Sequence, residues 1–280
     1  MSNELYQQAE ATRRMAYPPV VAALSAAPVR TINVVCEGDS WFSYFPAYDV
    51  IATLRGQVWA GRRYHIEGAP RAGSYLNDMV YHPRQLADTL ESIRRYKPQA
   101  FLFSGGGNDI AGPELFDFLW NKLAGGGPRI LNQKVVAGVI DEVFRQAYVD
   151  FHGVIQRCAK DAGLAKLPFV CHGYGYAIPD GRGWAGGWGP LPGPWLDPSL
   201  SRKSWDRTAD AVVRTQAIRD LIDAFNGVLA DLAAKLPDFH YVDVRGILTP
   251  KDWGNELHPT EPGFAKVTAA IEAKLRQVVP

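Results

Sequence analysis

Four short polar segments of this sequence hold residues able to carry chemistry: Gly38-Asp39-Ser40-Trp41, Ala72-Gly73-Ser74, Gly106-Gly107-Asn108-Asp109 and Asn255-Glu256-Leu257-His258-Pro259. A serine hydroxyl is a poor nucleophile until a neighbouring imidazole accepts its proton. Ser40 and His258 are the candidate nucleophile and base of such a pair. Asn108 offers a side-chain amide N–H, and Gly73 a backbone N–H free of side-chain obstruction. Two or three donors of this kind aimed at one oxygen make an oxyanion hole. The chemistry this combination points to is acyl transfer by serine. His172 is a rival base at a strand end, and Asp39 reads as a structural hydrogen-bonding residue. His65, His82, His152 and His240 show no ligand spacing, so no metal site is expected.

These segments work together only if the fold carries them to one place. Short apolar, β-branched runs alternate with long runs of helical period. Strands are expected at Thr31 to Cys36, Arg63 to Ile66, Ala100 to Phe103, Pro168 to Cys171 and Phe239 to Val244. Helices are expected at Pro46 to Leu54, Arg84 to Tyr96, Gln133 to Ala162, Asp206 to Leu236 and Glu261 to Val279. Strands this apolar, alternating with helices, argue for a parallel sheet covered on both faces. The expectation is a three-layer α/β/α domain with a five-stranded parallel sheet. Ligands bind such sheets outside the carboxyl ends of the strands, and each candidate segment follows a strand.

Two stretches, near 111–133 and 180–204, break the alternation. The second is dense in Gly, Pro and Trp and includes Trp184, Trp188 and Trp195. Loops this long in a compact domain are functional or disordered, and the tryptophans argue against disorder. They read as insertions over the active-site end of a single domain spanning residues 1–280, with Trp184 and Trp188 as substrate-binding candidates.

Composition narrows the alternatives. Lys plus Arg is 30 and Asp plus Glu is 29, a net charge of +1, so the basic footprint of a nucleic-acid binder is missing. The 47% hydrophobic and 21% charged fractions belong to a folded chain. No apolar run reaches the ~18 residues of a membrane span. The first residues are polar, with no apolar core of a secretory signal, and the expected location is the cytoplasm. Cys36, Cys158 and Cys171 lack metal spacing and suit buried free thiols. There is no G-x-S-x-G elbow, no G-x-G-x-x-G opening a helix and no phosphate loop ending in Gly-Lys.

The segments GDSW, AGSYL, GGND and the HP after the last strand resemble, in order and place, the four sequence blocks of the SGNH (GDSL) hydrolase family. The resemblance covers residues about 31 to 278. It implies a flavodoxin-like sheet ordered 2-1-3-4-5 and a serine esterase or lipase without a cofactor. It also implies Ser40 as nucleophile, His258 as base, and Ser40, Gly73 and Asn108 as oxyanion donors. One position departs from the pattern: the family usually has Asp three residues before the histidine, where this chain has Asn255. Asparagine can accept a bond from the imidazole but cannot neutralise its charge. The group that orients His258 is therefore Asn255 or a backbone carbonyl, with Asp252 as the alternative. Glu256 is expected to point away. The expected substrate is a small-molecule, lipid or glycan ester. The alternatives are a carbohydrate or peptidoglycan O-acetylesterase, and a non-catalytic ligand-binding protein on a degenerate hydrolase scaffold.

Overall fold

The structure is a computed structural model that describes residues 2–16, 31–46, 48–124, 129–184 and 192–279. Its strands are β1 (Thr31–Gly38), β2 (Val58–Trp59), β3 (Arg62–Gly68), β4 (Ala100–Ser104), β5 (Phe169–His172) and β6 (Phe239–Val242). They form one sheet in the order β2-β3-β1-β4-β5-β6. The five longer strands are parallel and occupy the expected 2-1-3-4-5 order. The strand count needs correction, because β2 adds a sixth strand, antiparallel to β3. Ala60 and Gly61 join the two, both at positive φ (51° and 73°), as a tight hairpin requires. Two residues are too few to show a strand's alternation in sequence.

The helices are α1 (Ser2–Ala16), α2 (Val50–Arg55), α3 (Leu76–Tyr81), α4 (Pro83–Tyr96), α5 (Leu115–Phe118), α6 (Gln133–Val136), α7 (Arg145–Asp161), α8 (Asp197–Arg202), α9 (Ala211–Lys235) and α10 (Glu261–Val278). A π-helical stretch, Ala137–Phe144, runs α6 into α7, so the expected single helix is continuous but locally underwound. Helices α2 and α10 pack together against the sheet on one side, and α4, α7 and α9 on the other. This gives three layers, with α1 lying outside on α4 and α7.

The strands are apolar because both faces are covered. Ile32, Val34 and Val35 of β1 and Phe101, Leu102 and Phe103 of β4 are buried. Phe101, Phe103, Phe151 and Phe169 pack ring against ring across the sheet and α7. Cys36, Cys158 and Cys171 are free and buried within this core. Among the described residues no helix is long and apolar enough to cross a membrane. The core fixes the heights of the strand ends, and on these the candidate residues stand.

Candidate active site

β1 and β4 run side by side to their carboxyl ends, with Gly38 opposite Ser104. The chain turns sharply after Gly38, and Asp39 holds the turn. Its Oδ1 accepts the N–H of Trp41 (2.9 Å) and the hydroxyl of Ser104 (2.8 Å). Its Oδ2 accepts the hydroxyl of Tyr174. Asp39 is buried, and desolvation pushes its carboxyl above the usual range despite these donors. It is thus a structural brace of the turn. Ser40, next in the chain, stands at the mouth of the site with 8% of its surface exposed.

His258 arrives from the far end of the sequence. Residues Trp253 to Pro259 close on themselves: Gly254 and Asn255 donate their N–H groups to the His258 carbonyl (2.9 and 3.3 Å). Thr260 then caps α10. The indole N–H of Trp41 donates to the Leu257 carbonyl (3.1 Å) and ties this loop to the Ser40 turn. As a result His258 Nε2 lies 2.7 Å from Ser40 Oγ.

The other imidazole nitrogen, Nδ1, lies 3.1 Å from Asn255 Oδ1. The same oxygen accepts the backbone N–H groups of Leu257 (3.0 Å) and His258 (2.9 Å). Asn255 Nδ2 donates to the hydroxyl of Tyr44 (2.9 Å). Three donors around Oδ1 and one acceptor at Nδ2 fix which end of the amide faces the ring. Because Oδ1 can only accept, the proton sits on Nδ1. Nε2 is left bare and accepts the Ser40 hydroxyl. Burial alone pushes His258 down to about 3, and among the described residues it has no charged partner.

Asp252, the alternative orienting group, does not reach the imidazole. Its carboxylate accepts from the N–H and hydroxyl of Thr249 and pairs with Lys266 (2.7 Å). It caps the short 3-10 turn Pro250–Asp252 through Oδ2, and Lys266 bonds both its oxygens. His172, the rival base, is also displaced from the site. Its Nδ1 bonds the Gly173 carbonyl (2.6 Å), and its ring is buried against Trp41.

The two remaining segments meet the pair from the other side. Gly73 takes φ +82°, a conformation that favours glycine, and a Cβ there would meet nothing within 4 Å. Asn108 Nδ2 donates to the Ser74 carbonyl (2.9 Å), and the Leu76 N–H donates to Asp109 (2.9 Å). These two bonds lock the loop after β4 to the loop after β3. One amide hydrogen of Asn108 is used in this way, and among the described residues the second has no acceptor. Among the described residues the backbone N–H groups of Ser40 and Gly73 have no acceptor.

Ser40 and Asn108 sit where two cavities meet. The inner one, about 50 Å³, runs under the sheet end between Ile110, Ala177, Leu196, Ile218, Leu221 and Ile222. The outer groove, about 430 Å³, is walled by Tyr44, Phe45, Trp184, Trp195 and Leu257, with Gly73 and His258 on its floor. Trp184 lies on this wall, its indole N–H 3.5 Å from the Phe45 carbonyl. Trp188 lies outside the described residues. Sequence reasoning missed Tyr44, Phe45 and Trp195 as site residues. The aromatic run Trp41-Phe42-Ser43-Tyr44-Phe45 directly after the Ser40 turn was a usable signal for the first two.

No family model matches the sequence, and no curated protein matches it. Solved structures are similar in fold. A lipase from a goat rumen metagenome superposes with a TM-score of 0.55 at 11% identity, over 87% of this chain and 97% of the lipase. A protein assigned to the G-D-S-L lipolytic family, from Desulfitobacterium hafniense, gives 0.45 at 12% identity, over 88% and 99% of the two chains. A family 3 carbohydrate esterase from Clostridium thermocellum gives 0.43 at 14%, over 89% and 100%. The rumen lipase superposes closely enough for its fold to be carried over. The chain has the three-layer SGNH (GDSL) hydrolase fold.

Proposed function

We propose that this protein hydrolyses carboxylic esters through an acyl-enzyme on Ser40. The observation that carries the reading is the hydrogen bond of 2.7 Å between Ser40 Oγ and His258 Nε2, with Nδ1 held by Asn255. Ser40 Oγ attacks the acyl carbon as His258 Nε2 takes its proton. The carbonyl oxygen becomes an oxyanion facing the N–H groups of Ser40 and Gly73 and the free amide hydrogen of Asn108. Collapse of the tetrahedral adduct breaks the bond to the alkoxy oxygen, which leaves with the proton from His258. Water then attacks the acyl-serine as His258 takes its proton, and collapse of this second adduct releases the acid while His258 returns the proton to Ser40 Oγ. No cofactor enters these steps.

The inner cavity has apolar walls, which suit the hydrocarbon part of a short acyl group. The acyl half is assigned there and the alcohol half to the aromatic groove outside. This favours an esterase of short acyl chains.

Two measurements test the reading. A fluorophosphonate probe should label the wild type at Ser40, and Ser40→Ala should abolish both labelling and turnover with the fold intact. Labelling at Ser74 or Ser104 instead, or ligand binding with no turnover of any ester, would sink it. Across p-nitrophenyl esters, kcat/KM should be highest for the short chains, with butyrate above acetate and both above octanoate. A preference confined to acetate would move the assignment to a carbohydrate O-acetylesterase.

A further inference from the structure

We propose that Tyr44 is a positioning residue that supplies, by hydrogen bond and by ring face, the support that a carboxylate would otherwise give His258. The inference rests on the reading of His258 as the base. A neutral amide at Nδ1 leaves the imidazolium of the transition state without a counter-charge. The surroundings of the ring show what stands in its place.

The Tyr44 ring lies almost parallel to the imidazole, centroids 4.2 Å apart and planes at 23°. A cation held against an aromatic face is attracted by the ring quadrupole, most strongly where water is excluded. Tyr44 and His258 are both buried, at 8% and 5% exposed. Trp195 closes the pocket edge-on at 5.3 Å. Among the described residues the groups that hydrogen-bond the ring are Ser40 and Asn255, both uncharged. The aromatic face is therefore the main group able to respond to the developing charge.

The hydroxyl of the same residue completes the arrangement. It accepts Asn255 Nδ2–H at 2.9 Å, so the amide cannot turn its oxygen away without orphaning a buried donor. Tyr44 is itself held from several sides. Its N–H donates to Asp49 Oδ2 (3.0 Å), its ring packs on Tyr48 and Phe264, and burial pushes its hydroxyl up to about 12, so it stays a neutral phenol. One side chain thereby serves both nitrogens' needs: it fixes the acceptor for Nδ1–H and faces the cation formed when Nε2 is protonated.

The test is steady-state kinetics of Tyr44→Phe and Tyr44→Leu, each alone and combined with Asn255→Asp, with folding checked by circular dichroism. Tyr44→Phe keeps the ring and should lose about threefold in kcat. Tyr44→Leu removes the ring and should lose roughly 30-fold in kcat with KM nearly unchanged. In the Asn255→Asp background, where a carboxylate faces the imidazolium, the loss from Tyr44→Leu should shrink to about threefold. If Tyr44→Leu does not fold, Tyr44→Met, unbranched and of similar length, takes its place as the non-aromatic variant. Non-aromatic variants within threefold of the wild type, or the same loss in both backgrounds, would overturn the proposal. Ser40→Ala and His258→Ala are measured in parallel. Turnover by either would remove the reading of the site itself, whereas their inactivity alongside unaffected Tyr44 variants would remove only the role of Tyr44.

Discussion

An amide beside the imidazole changes what the base costs to protonate. In a serine protease, replacing the triad aspartate by asparagine lowers kcat by about 10⁴, largely through the wrong tautomer. Here the tautomer is already right, because the Leu257 and His258 N–H groups and Tyr44 leave Asn255 Oδ1 toward Nδ1–H. What is missing is charge, and burial holds His258 down at about 3. A base whose pKa is depressed stays neutral as the pH falls, so kcat/KM of the wild type should show no acid limb between about pH 5 and 8. Asn255→Asp sets an opposite charge at a position already 3.1 Å from Nδ1, which favours the protonated ring. The acid limb should move up by roughly 1–3 pH units, and kcat at pH 7.5 should rise about tenfold as the base strengthens. A pH–rate profile identical to the wild type would show that Asn255 does not occupy the place of the acid.

At the scale of elements, Glu256 joins the tryptophan-rich insertion to the loop that carries His258. Its Oε1 accepts the N–H groups of Gly181 (2.9 Å) and Asp197 (3.1 Å), and its Oε2 those of Trp195 and Leu196 (both 2.6 Å). Its own N–H donates to the Arg182 carbonyl (3.1 Å). It points away from His258, as its place two residues before the histidine suggests, and it has a task of its own. Four donors on two oxygens leave no place for an amide NH2 group. Glu256→Gln should therefore be nearly as harmful as Glu256→Ala, each losing about 3 kcal/mol or roughly 6–12 °C in Tm, with KM rising more than kcat falls. A glutamine variant melting with the wild type would refute the anchor. The sequence shows the outline of these elements unevenly. Strands buried on both faces announce themselves as apolar runs, and the polar turn after each strand locates Ser40, Gly73, Asn108 and His258. The anchoring by Glu256 and the stacking of Tyr44 join residues far apart in the chain, and a local pattern does not encode such pairs. α3 and α8, six residues each, are too short to establish a helical period.

For the whole molecule, the chemistry stands at one end of the sheet and much of the stabilising network at the other. α1 illustrates the separation. Its first residues show no apolar run because its inner face is built from a few contacts one turn apart: Tyr6, Ala9 and Glu10 are buried. Tyr6 donates to Asp161 (2.7 Å) and accepts from Arg94 (2.7 Å), while Glu10 pairs with Arg94 (2.8 Å) and Arg13 (3.0 Å). Arg94 and Asp161 end α4 and α7, the helices that lead into β4 and β5. These contacts thus lie at the amino ends of the strands, opposite Ser40. Removing residues 1–16 would expose the apolar surface that α1 covers on α4 and α7, and would leave Glu91 and Arg94 without their partners. Burial of that surface is worth about 3 kcal/mol, so Tm should fall by roughly 6–12 °C. The strand ends that carry Ser40, Asn108 and His258 are held by the sheet and by bonds that α1 does not touch. At 25 °C kcat/KM for a p-nitrophenyl ester should therefore stay within about twofold of the full chain. A truncated protein that melts as the full chain does would show that α1 is not part of the stabilising shell. One that keeps its Tm but loses kcat would show that the two ends of the sheet are coupled.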